Sequence, residues 1–237
     1  MKLMKDPKRW LAVVLYAIAM AWMESAVVFY LRALSELADR NHATVLPPVT
    51  GIRMVEMVRE AATLIMLWAV GMLAGKTLRS RWGYAAIAFG VWDIFYYVFL
   101  RVICHWPGSL LEWDVLFLLP LPWWGPVLSP VLIALLMIVW GTLATQGEPF
   151  HRPVRSELKA WAFNFLGIAV ALYVFMEDAL HSGRAVVDAT PSRPPSHFNW
   201  TLFMVALALM TAPIIHAGRQ IVERAGSVLG LGNDETA

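Results

Sequence analysis

The sequence predicts an all-α integral membrane protein, a bundle of six transmembrane helices with one short broken helix between the third and the fourth. Hydrophobic residues make up 59% of the chain, charged residues only 15%, and the mean hydropathy is +0.60. This composition leaves too little polar surface to cover a water-soluble globule. The chain also contains six stretches of about 20 mostly apolar residues, the length that a helix needs to cross hydrocarbon. The lipid bilayer is therefore its first expected partner.

The six predicted spans cover residues 10–33, 54–75, 82–104, 126–145, 157–181 and 200–218. The first span follows a lysine-rich start that resembles the beginning of a signal peptide. Its apolar run continues for about 24 residues without a small-residue cleavage pattern, so we expect it to be retained as a helix. No internal repeat of 20 to 50 residues is visible, and we expect one transmembrane domain over residues 1–237.

The segment 109–119 is apolar but too short to cross a bilayer, and it ends at Pro120 and Pro122. We therefore expect a short re-entrant or interfacial helix there. Backbone that leaves the helical conformation at membrane depth is tolerated only where it packs in protein or lines water. This broken segment is consequently the place where we expect the protein to differ from a plain apolar bundle.

Lysine and arginine are distributed unequally between the two sides of the predicted bundle. Of the 19 such residues, 12 lie on the side that carries both termini and 7 on the other side. The positive-inside rule predicts a multi-pass protein of the cell membrane with both termini in the cytoplasm.

Composition also excludes some classes of function. The net charge of +2 and the absence of a basic stripe argue against a nucleic-acid partner. The single cysteine, Cys104, excludes an intrachain disulfide and any CxxC metal or redox motif.

Several ionisable side chains fall inside the predicted spans. From the helical rise, Glu24, Glu60 and Asp93 lie roughly 13, 9 and 16 Å below the non-cytoplasmic ends of their helices. Glu177 lies near the same end of the fifth span. Charged groups in hydrocarbon are costly and by default mark a functional site. We therefore predict a polar pocket that opens to the non-cytoplasmic side.

Helical spacing assigns further residues to this pocket. Asp93, Tyr97, Arg101 and His105 are four residues apart and form one stripe along the third span. The candidate acids and bases are the carboxylates at mid-membrane or in the outer half: Glu24, Glu60, Asp93 and Glu177. The candidate substrate-binding residues add a cation, a hydroxyl, an indole or a further carboxylate to the same region: Arg59, Arg101, Tyr97, Trp92 and Asp114.

These residue types are suited to acid–base chemistry. Burial favours a neutral carboxylic acid and a neighbouring arginine favours a carboxylate, so a proton donor and a proton acceptor can coexist in one pocket. Arg59 or Arg101 would hold an anionic head group. Each charge also has a structural interpretation, because charges inside bundles are usually paired with one another.

A divalent metal is a further hypothesis. Glu177 and Asp178 lie four and three residues before His181, so either carboxylate can share a face with the imidazole. His105 could add a ligand from another helix. The second histidine of an HExxH or paired ExxH motif is missing. Haem is not expected. Its ligation by two histidines needs imidazoles that face each other at the same depth, and His105 and His181 are the one pair at matched depth.

The sequence leaves three functions open. The first is a membrane-embedded enzyme or cofactor-binding protein that acts on a lipid-soluble small molecule by acid–base or metal-assisted chemistry. The second is a proton-coupled transporter of a small molecule or ion that uses the same carboxylates. The third is a non-catalytic subunit of a larger membrane complex, with its charges simply paired.

Overall fold

The structure is a computed structural model and describes residues 6–41, 49–118, 121–146, 154–182 and 197–228. Its elements in chain order are α1 (Pro7–Asn41), α2 (Val49–Ala74), α3 (Leu78–Cys104), β1 (Trp113–Phe117), β2 (Trp123–Pro126), α4 (Leu128–Gln146), α5 (Val154–Ser182), α6 (Trp200–Met210) and α7 (Ala212–Val228). Within the described ranges, six helical stretches are long and apolar enough to cross a membrane, and α6 with the first part of α7 forms the sixth. The predicted six-span helical bundle is confirmed.

The outside of the bundle is apolar. Leu73 is 87% exposed, and Leu15, Met23 and Val102 are each more than half exposed. Lipid tails solvate such side chains as well as a protein interior does, whereas water does not. The chain is therefore a multi-pass membrane protein.

Helix α3 is the central helix, since it packs against α1, α2 and α4. It begins four residues before the predicted span because Thr77 and Ser80 form a capping box, with the Ser80 N–H donating to Thr77 Oγ1 over 3.2 Å and the Thr77 N–H donating to Ser80 Oγ over 2.9 Å. It ends at His105, whose φ of 56° places it in the left-handed region.

Helices α3 and α4 approach each other through glycines. A Cβ atom added to Gly90 of α3 would lie 2.5 Å from the carbonyl oxygen of Ala134 in α4. A Cβ atom on Gly141 of α4 would similarly collide with the carbonyl oxygen of Gly83 in α3. Small residues at such contacts let membrane helices pack backbone to backbone.

The short helix predicted for residues 109–119 was wrong, because β1 pairs with β2 as an antiparallel hairpin. The sequence of β1, WDVLF, is rich in aromatic and β-branched residues, which favour a pleated strand over a short helix. The hairpin enters the bundle. Phe117 at the end of β1 stacks on Phe89 with ring centroids 6.3 Å apart and lies 6.4 Å from the ring of Trp92, near the middle of α3.

An irregularity in β1 brings Asp114 and Phe117, which are three residues apart, to the same side of the strand. The pairing register shifts between Val115 and Phe117, which forms a bulge at this point of the strand. Asp114 and Phe117 consequently both contact α3. Trp113 and Leu116 pack instead against an apolar cluster formed by α5 and α6. The hairpin thus lies between two parts of the bundle, the α1–α2–α3 cluster and the α5–α6 cluster.

We expect Gly90→Ala to lower the free energy of unfolding by about 1–3 kcal/mol, because the new methyl group must push α3 away from α4. Gly218→Ala is the matched control, since nothing lies within 4 Å of a Cβ atom at that position of α7. Alanine should there be neutral or stabilising through its higher helix propensity. Thermal unfolding of both variants in one detergent tests this pair, and equal midpoints would contradict the close approach of α3 and α4.

Candidate functional site

Glu24 of α1 is 6% exposed and is bound by two side chains of α2. Its carboxylate forms an ion pair with Arg59 and accepts a hydrogen bond from the hydroxyl of Thr63. Arg59 also binds Glu56, with Nε 3.0 Å from Oε2 and a second contact through Nη2. One guanidinium therefore serves two carboxylates, and Glu24 is a paired charge rather than a free acid.

Glu60 of α2 binds the backbone of the hairpin. Its Oε2 accepts a hydrogen bond from the Leu118 N–H over 3.0 Å, and the residue is 9% exposed. Leu118 directly follows β1, where the ladder with β2 has ended. A backbone N–H at membrane depth needs a partner, since no water is available there. Glu60 thus anchors the inner end of the hairpin to α2.

Asp114 of β1 meets α3 through Tyr97, whose hydroxyl donates to Oδ2 over 3.1 Å. Burial raises the pKa of Asp114 to about 6, although the hydrogen bonds from Tyr97 and the Val115 N–H and the charge of Arg32 favour its ionised form. This carboxyl group therefore changes charge close to neutral pH.

Trp92 and Asp93 of α3 each carry a buried polar atom without a hydrogen-bond partner among the described residues. These atoms are Nε1 of Trp92, a donor, and Oδ2 of Asp93, an acceptor. Each residue is only 7% exposed, and Asp93 lies close enough to Asp114 to interact with it electrostatically. Most buried polar groups in proteins are hydrogen-bonded, so two such atoms on consecutive residues call for an explanation.

Tyr96 lies between these groups. Its ring centroid is 6.1 Å from that of Trp92 and 5.2 Å from that of Tyr97. It interacts electrostatically with both Arg59 and Asp114. We name the polar centre as the set of predicted site residues that the α1, α2, α3 and β1 elements bring to this region: Glu24, Arg59, Glu60, Trp92, Asp93, Tyr97 and Asp114.

Two predicted site residues lie outside the polar centre. Arg101 is exposed and donates from Nη1 to the carbonyl oxygens of His105 over 2.7 Å and Pro107 over 3.0 Å, so it caps the end of α3. Glu177 lines a separate cleft with Trp113 of β1. Trp113 and Asp114 are neighbours in a strand and point to opposite faces, so the hairpin separates Glu177 from the polar centre.

The predicted metal ligands are dispersed. His105 is at the end of α3, whereas Glu177, Asp178 and His181 are on α5. In the part of the chain that the structure describes, no group of three or more His, Cys, Asp or Glu side chains is arranged to hold a metal ion. His181 Nδ1 is already bonded to the carbonyl oxygen of Glu177 over 2.8 Å. The metal hypothesis therefore gains no donor set from the described residues.

Sequence reasoning missed two contributors. Ser25 donates to the carbonyl oxygens of Ala21, over 2.8 Å, and Tyr96, over 3.1 Å, and so links α1 to α3. The Leu118 N–H, which binds Glu60, is a backbone group. Ser25 directly follows the intramembrane residue Glu24, and this position could have indicated its role. A backbone N–H such as that of Leu118 cannot be recognised from the sequence.

The stability of the protein should depend on pH through Asp114. In the unfolded chain an aspartate has a pKa of about 4, so between that value and about 6 the folded state binds the extra proton. The stabilisation that this extra proton contributes is fully present below pH 4. It falls by on the order of 2 kcal/mol as the pH rises to 6. Asp114→Asn should lack this fall in thermal unfolding midpoints measured from pH 4 to 7.

Tyr97→Phe provides the second arm of that measurement. It removes a hydrogen bond that favours the ionised carboxylate, so the fall in stability should extend to higher pH than in the wild type. Identical pH profiles of the wild type and Asp114→Asn would exclude Asp114 as the group responsible.

No family model, no curated protein and no solved structure matches this chain. The chemistry of the polar centre therefore rests on the geometry of its own residues.

Proposed function

We propose that this chain is a membrane-embedded enzyme or binding protein that receives the polar head of a lipid-soluble molecule in the polar centre, where Asp93 exchanges a proton with it. The observation that carries this proposal is the pair of unpartnered buried atoms, the Trp92 N–H and Asp93 Oδ2. An unpaired buried donor or acceptor costs about 1–3 kcal/mol. A ligand that offers one acceptor and one donor would remove both costs.

The surroundings of Trp92 suit a ligand with an apolar body. Its ring packs against Phe89, at 5.5 Å between centroids, and against Phe117 and Tyr96. Asp93 lies next to this aromatic cluster and close to Asp114. Two carboxyl groups that interact through their charges favour sharing one proton, which is how an acid and a base can coexist in one site.

The pairing of Arg59 narrows the chemistry of the ligand. Arg59 is the cation of the polar centre, and both Glu24 and Glu56 already bind it. Arg101 lies outside the polar centre, where it caps α3. Arg32, whose charge reaches Asp114, is exposed and lies over the ring of Trp106, 4.7 Å from its centroid. An anionic head group would therefore meet the carboxylates of the polar centre, where the arginine is already paired. We infer that the head group is neutral, with a carbonyl or hydroxyl oxygen for the indole N–H and a proton to exchange with Asp93.

Pairing of the Glu24 and Arg59 charges is also what a non-catalytic subunit would show. The binding function is favoured because pairing does not extend to Trp92 and Asp93, which lie in the same region. Proton-coupled transport has no comparable observation of its own among the described residues.

We further propose that both termini lie in the cytoplasm of a cell membrane, because the positively charged residues concentrate on their side. The hairpin would then enter the bundle from the non-cytoplasmic side, and the polar centre would be reached from there or laterally from the bilayer.

Trp92→Phe should separate ligand binding from stability. The phenyl ring removes an unsatisfied buried N–H, so the ligand-free protein should be unchanged or stabilised by about 1 kcal/mol. A lipid-soluble molecule extracted by chloroform and methanol from the purified wild type should be absent from the Trp92→Phe extract and reduced in that of Asp93→Asn. Mass spectrometry of the extracts measures this.

Glu112→Gln is the matched control, since Glu112 precedes β1 and belongs neither to the polar centre nor to the cleft beside α5. Its extract should equal that of the wild type. Extracts that are the same for all four proteins would show that the polar centre does not retain the molecule, and the proposed function would be withdrawn.

The native thiol of Cys104 at the end of α3 tests the proposed orientation. A membrane-impermeant maleimide should label it in right-side-out membrane vesicles, because this end of α3 is placed on the non-cytoplasmic side. A variant with Cys104→Ser and Lys76→Cys should be labelled only after the vesicles are opened, since Lys76 is exposed at the opposite end of α3. The reverse pattern would invert the topology.

A further inference from the structure

A polar cleft of about 310 Å³ lies on the side of the hairpin opposite the polar centre. It is bordered by the end of α5, by both strands and by the residues that precede α6. Its chemically distinctive lining residues are Trp113, Trp124, Glu177, Asp178, His181 and His197. The cleft shares none of the residues of the polar centre.

The charge of this lining is negative. Glu177 and Asp178 contribute two carboxylates, and no lysine or arginine is among the described lining residues. Neither carboxylate forms an ion pair with a described residue. An anionic ligand would be repelled by these carboxylates, whereas a cation would find two partners that no described residue neutralises.

His181 adds an acceptor to the same wall. Its Nδ1 lies 2.8 Å from the carbonyl oxygen of Glu177, and a carbonyl oxygen can only accept. Nδ1 therefore carries a proton, and in the neutral form of the ring Nε2 is an acceptor. The carboxylates and this nitrogen match a ligand that donates several hydrogen bonds.

The remaining walls are aromatic. Trp113 and Trp124 come from adjacent strands, and Trp113 packs edge-on against Phe198 with 6.0 Å between ring centroids. The faces of indole rings attract organic cations, and aromatic walls combined with carboxylates are the chemistry by which proteins hold ammonium groups. A bare metal ion fits less well, because the described residues provide no group of three ligands.

We propose that this cleft binds an organic ammonium group of the form R–NH₃⁺, with its charge on Glu177 and Asp178 and its alkyl part against the tryptophans. The group can belong to a free amine or to the head group of an aminophospholipid, since tryptophans of this kind are typical of the level at which lipid head groups lie. The inference is independent of the function proposed for the polar centre.

Butylammonium is the probe, and butanol, which replaces the ammonium by a hydroxyl group, is its neutral counterpart. Calorimetric titration of the full chain in a non-ionic detergent should show binding of butylammonium and at least about tenfold weaker binding of butanol. The Glu177→Gln/Asp178→Asn double variant should weaken butylammonium binding by at least about tenfold. Glu112→Gln is the carboxylate control, because Glu112 does not line the cleft, and it should bind as the wild type does.

Added lipids distinguish the two sources of the ammonium group. If the natural ligand is a lipid head group, phosphatidylethanolamine in the micelles should compete with butylammonium, and diacylglycerol, which lacks a head group, should not. Absence of competition by either lipid identifies a free amine as the ligand, and both results uphold the site. Equal affinity for butylammonium and butanol, or wild-type affinity in the double variant with its thermal midpoint unchanged, would overturn it.

Discussion

The constraint that organises this bundle is that backbone N–H and C=O groups at membrane depth need partners within the protein. Helices satisfy it by themselves, but the hairpin between α3 and α4 does not. Its strands pair with each other, and the N–H groups that follow β2 bond back to the turn before β1, Val127 to the Glu112 carbonyl over 2.9 Å and Leu128 to the Leu110 carbonyl over 2.7 Å. Among the described residues at the inner end, the Leu118 N–H donates to Glu60. The carboxylate of Glu60 thus holds the hairpin in place by binding its backbone.

The hairpin in turn determines what chemistry each side of the bundle can perform. Through the ordinary alternation of a strand, Asp114 contacts α3 while its neighbour Trp113 lines the cleft beside α5. The bulge before Phe117 then places Phe117 on the same side as Asp114. A regular strand of the same length would carry Phe117 to the side of Trp113 and remove its stacking with Phe89. Two polar regions of different character lie on the two faces of β1: a buried one in which Arg59 is paired, and an open one with carboxylates that no described residue neutralises.

Apolar length alone predicts the six spans, because hydrocarbon thickness fixes how many residues a helix needs. The heights of Glu24, Glu60 and Asp93 along their helices follow from the constant helical rise, and their depths in the bilayer stay a prediction. Length could not distinguish a short helix from a hairpin at residues 109–119, although the aromatic and β-branched composition of β1 was a readable signal. The prediction that Arg101 lies in the same pocket as Asp93 was wrong for a geometric reason. Eight residues at 100° each turn the side-chain direction by about 80°. Arg101 therefore leaves the face that Asp93 shares with the hairpin.

Glu24 and Asp93 differ in whether their carboxyl groups have partners, and this difference supports a binding function more strongly than either residue does alone. Both are buried acids of the same bundle, yet Glu24 has an arginine and a hydroxyl as partners, and Asp93 Oδ2 has none among the described residues. A charge that serves only to hold helices together gains from being paired, and an unpaired one weakens the bundle. The arrangement at Asp93 and Trp92 is therefore costly for a purely structural subunit, whereas it is what a site needs if a neutral head group is to supply the missing donor and acceptor.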